Sequence, residues 1–225
     1  MAGTYLLVTA FLVGLSGAMA PGPLTAVTIE HSLKKGFLAG PLVALGHIIL
    51  EIMIIIMLVA GLSSFLARDS VGGLIGLLGG LVLFWMGYKM FTGIFSGSLS
   101  LEQEKPDDVS GNSGNYSSGF FRSSIAAGTI TTFANPYWFI WWATVGAGYI
   151  TISLRQGTLG VLLFSLGHIA ADLGWLSFIS FILATGKQYI SENIYRAVMV
   201  VLAVFIIGMG VYFIWSGFNM FGLLG

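Results

Sequence analysis

The sequence predicts an all-α integral membrane protein, six hydrophobic spans forming two inverted three-helix repeats with proline-broken first helices. Three observations predict it. Charged residues make up 8% of the chain and hydrophobic ones 56%, whereas a soluble domain carries about 25% charged residues. Six stretches, roughly 4–31, 37–67, 71–97, 118–150, 156–186 and 194–219, are long and apolar enough to cross a bilayer, for which about 20 residues are needed. Leu-Gly-His, with an acid four residues after the histidine, occurs in both the second and the fifth of these stretches.

The first stretch contains Ala18-Met19-Ala20, which imitates the cleavage site of a secretory signal. No lysine or arginine precedes residue 34, however, and Pro21 would follow the cut, so the segment is expected to be helix. Pro21-Gly22-Pro23 breaks that helix. Lacking an N–H, Pro21 cannot bond the carbonyl of Gly17, nor Pro23 that of Met19. Unpaired backbone groups are costly in lipid and are tolerated only against protein or a wet cavity. The freed carbonyls are therefore expected to act as ligands.

The second stretch places His47 and Glu51 on one helix face. The third contains Gly72, Gly76 and Gly80, with Gly73 and Gly79 beside them, a small-xxx-small spacing that lets helices approach closely. Next comes a polar connection, 98–117, too rich in Gly, Ser, Asn and charge to build an apolar core. The fourth stretch is broken by Asn135-Pro136, which releases the carbonyl of Thr132. Asn135 is both a candidate substrate ligand and a good local turn former. Tyr137, Trp138, Trp141 and Trp142 follow it, as packing residues, interfacial anchors or a cation-π surface. The fifth stretch repeats the motif as His168 and Asp172, and in the sixth "MGVYFIWSG" (209–217) echoes "MGYKMFTG" (86–93) of the third.

These matches, in the same order, divide the chain into a first repeat at 1–97, the linker at 98–117 and a second repeat at 118–225. Three spans is an odd number, so the second repeat enters the membrane upside down. Broken helices in matching positions of inverted repeats mark the substrate site of secondary transporters. Lys and Arg concentrate on the cytoplasmic side of short loops. Lys34, Lys35, Lys105, Arg122, Lys187 and Arg196 belong to loops 1, 3 and 5, against Arg68 and Arg155 in the even loops. Loops 1, 3 and 5 are therefore expected in the cytoplasm of a plasma-membrane protein, with both termini outside.

"GLSGAMAPGPLTAV", "GHIILEIMIIIMLVAGL" and "TTFANPYWFIWW" together resemble the lysine exporter (LysE) family of amino-acid export carriers, over nearly the whole chain. The resemblance implies ion-gradient-driven efflux of an amino acid or related small solute, with no ATP and no cofactor. It places Pro21, Gly22, Pro23, Asn135 and Pro136 at the family's motif positions and makes a homodimer plausible. Many members carry an aspartate after the glycine of the second span. This chain has His47 there and its acid one turn on, at Glu51, a departure from the pattern of cationic-substrate carriers, and the absence of extra acids in the spans favours neutral over dibasic amino acids.

The expected substrate-binding and gating residues are thus Pro21, Gly22, Pro23, Asn135, Pro136, Trp138 and Trp141. Charged groups in a membrane face a partner or a cavity, and a histidine–carboxylate pair can exchange a proton near neutral pH. His47, Glu51, His168 and Asp172 are accordingly the proton-coupling candidates. The same four side chains also allow a divalent-metal exporter or, with the histidines as axial ligands, a haem carrier. Zero cysteines exclude thiolate sites, and zero net charge with no basic cluster gives no grip on nucleic acid. Neither a GxSxG elbow nor a GxxxxGK[ST] loop is present, so enzymatic hydrolysis is not expected.

Overall fold

The computed structural model describes residues 2–66, 68–96 and 113–221, which contain helices and no strand. Most of the linker expected at 98–117, Lys105 included, lies outside these residues.

The break expected in the first stretch separates α1 (Ala2–Ala18) from α2 (Pro23–Lys35), which bends away by 79°. Proline occupies the first position of α2, where its missing N–H is harmless, and Lys34 and Lys35 complement the dipole in its last turn. Gly36 then takes φ 83°, a left-handed conformation that a side chain would strain, and the chain turns into α3 (Ala39–Val59). A single turn, α4 (Ser63–Leu66), precedes α5 (Asp69–Phe95).

The second half begins with α6 (Ser113–Phe133), already helical within the expected linker. After the second break come α7 (Pro136–Trp141), a π-helical turn (Trp142–Gly146) and α8 (Ala147–Leu154). Gly146 leaves room for the Trp142 indole, which a Cβ there would strike, and Trp142 is fully buried. The chain ends with α9 (Gly157–Gly186) and α10 (Glu192–Met220), the latter capped by Ser191 Oγ accepting from Ile194 N at 3.3 Å.

Among the described residues, α3, α5, α9 and α10 are each long and apolar enough to cross a membrane, and α1–α2 is a fifth span if the bent pair counts as one. The stretch at 118–150 is divided between α6 and the α7–α8 segment rather than forming one helix.

Exchanging the halves preserves the main helix pairs. The first helix of each half packs on the second helix of the other, α1 on α9 and α6 on α3, and the two third helices, α5 and α10, pack on each other. Glycine makes each contact close. A Cβ on Gly167 would meet Leu7 O of α1, and one on Gly46 would strike Ile125 O of α6. These are the glycines of the two Leu-Gly-His motifs, so close approach of the opposite half and placement of the histidine are specified together.

Along α5, Gly73, Gly76 and Gly80 face α10, whose Gly210 and Gly217 face back; a Cβ on Gly210 would lie 2.6 Å from Phe84 N. The small-residue seam therefore lies within one chain, whereas Gly79 meets Pro136. A polar knot fixes the α2–α3 turn to α9: Ser180 Oγ donates to Phe37 O (2.7 Å) and accepts from Ser32 Oγ (2.8 Å) and Gly40 N (3.2 Å).

Candidate functional site

The close approach of α3, α6 and α9 brings the two motifs together. Glu51 Oε1 lies 2.8 Å from His168 Nε2 and 3.1 Å from His47 Nε2. Asp172 completes the cluster, with Oδ2 3.4 Å from His168 Nε2 and Oδ1 3.8 Å from His47 Nε2. All four side chains are buried. Each acid therefore faces the histidine of the other half as well as that of its own helix.

Hydrogen bonding distinguishes the two imidazoles. Thr132 Oγ1 donates to Gly128 O at 2.8 Å, so it accepts from His47 Nδ1–H, also at 2.8 Å. With Nδ1 carrying a proton, His47 Nε2 can bond Glu51 only through a second proton, held by the imidazole or by the carboxyl. Among the described residues His168 Nδ1 has no hydrogen-bond partner, and Gly14 lies against it, where a Cβ would come within 2.7 Å. Trp141 stacks on the His168 ring at 4.7 Å and 24°, and Trp142 meets it edge-on at 5.0 Å. One histidine is thus fixed by a hydroxyl, the other by aromatic faces.

Thr132 supplies a check on this geometry. Thr132→Val keeps the shape and leaves His47 Nδ1–H unpaired, so unfolding should become easier by about 1–3 kcal/mol. Thr132→Ser, which keeps the hydroxyl, should be near wild type. Thermal unfolding in detergent measures both.

The cluster opens on a cavity of about 560 Å³. Pro21, Gly22, Asn135, Trp138 and Trp141 line it beside the four ionisable groups, so both breaks reach the same space. Pro23 and Pro136 are buried and do not line it; Pro136 packs on Gly79 of α5 instead.

Two of the released carbonyls, those of Gly17 and Thr132, regain a backbone donor. Ala20 N donates to Gly17 O and Asn135 N to Thr132 O, each at 3.1 Å. In both cases a tighter i→i+3 turn gives the carbonyl the proline left a backbone donor, so each has one lone pair still open to a ligand. Asn135 caps α7, its Oδ1 accepting from Tyr137 N at 3.1 Å. That leaves its carboxamide nitrogen, a donor suited to a carboxylate. At the other break the first backbone amides of α2, Leu24 and Thr25, belong to cavity-lining residues.

Sequence reasoning named Thr132 only for its carbonyl and Met209 and Tyr212 only within a repeat match, and did not single out the Thr132 hydroxyl, Gly14 or the α10 wall of Phe205, Gly208, Met209 and Tyr212, which lines the cavity. The α10 residues recur at helical spacing on one face, a signal that any lipid-facing helix also gives. His47, Glu51 and Asp172 offer ligand atoms within 4.8 Å of one another and could close round a metal ion.

The chain matches the family model described as LysE type translocator over residues 15–217. It is 23% identical, over 215 residues, to a Bacillus subtilis (strain 168) protein named "Putative amino acid efflux protein YcgF"; the alignment covers 95% of this chain and 96% of that one. No solved structure matches the chain.

Proposed function

Since the chain belongs to the LysE type translocator family, we propose that it is a secondary-active exporter of amino acids or related small solutes, coupled to the proton gradient by alternating access. The observation that carries this reading is the convergence of two histidine–acid pairs, one from each half, on a single cavity that both helix breaks also reach.

The cavity suits a zwitterion. Among the described residues Glu51 Oε2 is buried without a hydrogen-bond partner, and Asp172 Oδ2 has only the 3.4 Å approach of His168 Nε2, which suits an ammonium group. The Asn135 amide and the amino-terminal end of α2 suit a carboxylate. In this reading Glu51 or Asp172, each next to an imidazole, carries the coupling proton: gained from outside, it releases the substrate; lost inside, it favours loading.

The proposal includes six spans in two inverted repeats, supported by the exchange-symmetric packing of α1 on α9 and α6 on α3. It keeps the basic loops in the cytoplasm and the termini outside. Exposed apolar residues on α5 and α10, among them Leu78, Trp85 and Trp215, suit lipid or a second copy. The metal-carrier reading is not favoured: the histidine Nε2 atoms are already engaged with Glu51, and the curated relative is named for amino acid efflux.

Counterflow in proteoliposomes tests the proposal. Vesicles loaded with unlabelled amino acids should take up at least one of labelled threonine, leucine, lysine and arginine saturably. Movement of zinc or cadmium, with no amino acid moving, would overturn the reading.

A further inference from the structure

We infer that the α10 wall of the cavity, centred on Gly208, receives the substrate's side chain, and that it takes an uncharged, apolar side chain of about leucine or methionine size. This rests on the exporter reading and assigns a subsite within it.

Gly208 is the first ground. A glycine inside a helix is destabilising by roughly 0.5–1 kcal/mol relative to alanine, and in α10 its neighbours show why one would be kept. Gly210 and Gly217 close on the α5 backbone, where a Cβ would lie 2.6 Å from Phe84 N and 2.8 Å from Gly73 O. Gly208 has no such reason: a Cβ there would meet nothing within 4 Å, yet the residue lines the cavity. Gly148, Gly174 and Gly186 also have open space, and none of them lines it.

The chemistry around Gly208 is the second ground. Phe205, Met209 and Tyr212 flank it on the cavity side of the same helix. Aromatic rings with an adaptable thioether make a surface for apolar groups of varied shape. His47, Glu51, His168 and Asp172 are the histidines and acids among the described residues that line the cavity, and no lysine, arginine or further acid lines it; Glu192 and Arg196 of α10 lie outside the lining. Glu51 Oε2, with no hydrogen-bond partner among the described residues, and Asp172 Oδ2, whose approach to His168 Nε2 is 3.4 Å, are where this reading seats the ammonium group. A second cationic group directed at α10 would be desolvated with no partner.

Counterflow with Gly208→Val, Gly208→Ala and Met209→Ala tests the assignment in the full-length protein, using labelled alanine, leucine, methionine, phenylalanine and lysine. Wild type should move leucine and methionine in preference to lysine. Gly208→Val should lower leucine and methionine at least tenfold while leaving alanine within threefold, with Gly208→Ala intermediate. Met209→Ala, which removes bulk from the same wall, should shift preference the other way, towards phenylalanine. A general defect in folding or gating would lower all substrates alike, and that result would overturn the assignment. So would an unchanged profile, or a wild-type preference for lysine. In those cases amino-acid counterflow persists and the exporter reading stands. If wild type moves no amino acid at all, both fail together.

Discussion

Glu51→Gln should abolish export driven by a proton gradient and leave a folded protein. Both imidazoles converge on one oxygen of Glu51, at 2.8 and 3.1 Å, so no other residue of the cluster is shared as closely by the two halves. Glutamine keeps the size of the side chain and an oxygen to accept from His168 Nε2–H. What it lacks is a site that gains and loses a proton. Removing a positioned proton-transfer group costs on the order of a hundredfold or more, and that is the fall expected in gradient-driven export. Counterflow, which needs no net proton movement, should decline far less, and thermal stability should remain close to wild type. Export at the wild-type rate along an imposed pH gradient would remove Glu51 from the coupling step.

Gly46→Val should prevent the chain from reaching a stable fold. A Cβ at residue 46 would overlap the carbonyl of Ile125 and lie 2.8 Å from Thr129 N, so the obstacle is α6 backbone, not a side chain able to turn aside. Opposite, a Cβ on Gly128 would strike the carbonyl of Val43. Overpacking in cores costs about 1–3 kcal/mol where neighbours can shift, and here a whole helix would have to move. It would carry Thr132 away from His47, loosening the cluster as well. The variant should be lost from the monodisperse fraction on size-exclusion chromatography in detergent. Gly174→Val, at a helix position with nothing within 4 Å, is the matched control and should behave as wild type.

Comparing these two residues indicates how far the sequence could be read. Glu51 was legible because an acid in an apolar run is conspicuous, and because its spacing from His47 recurs at His168 and Asp172. The breaks were legible for a similar reason: proline removes a donor wherever it stands. Gly46 was visible only as part of a motif, since its function is set by α6, some eighty residues further on. Thr132 was visible only through its backbone carbonyl; its side chain gave no signal, one hydroxyl among many in a helix. At Gly17 and Thr132 the sequence showed the lost i→i+4 donor and not the i→i+3 donor that replaces it. The α5 seam was correctly read as packing, but its partner, α10, became evident only once the chain was folded.

The joined third helices have a mechanical consequence. α5 and α10 are packed against each other along backbone-close glycines, so sliding one past the other would break more contacts than moving both together. Their apolar attachment to the rest of the chain runs mainly through Ala26, Ile29 and Leu33 of α2 and Tyr137 and Ile140 of α7. Those are the two helices that begin at the breaks. In the exporter reading proposed above, the pair would act as a single lever whose pushrods are the two broken segments, and a tilt applied at one end would reach both breaks, and the cavity wall between them, in one stroke.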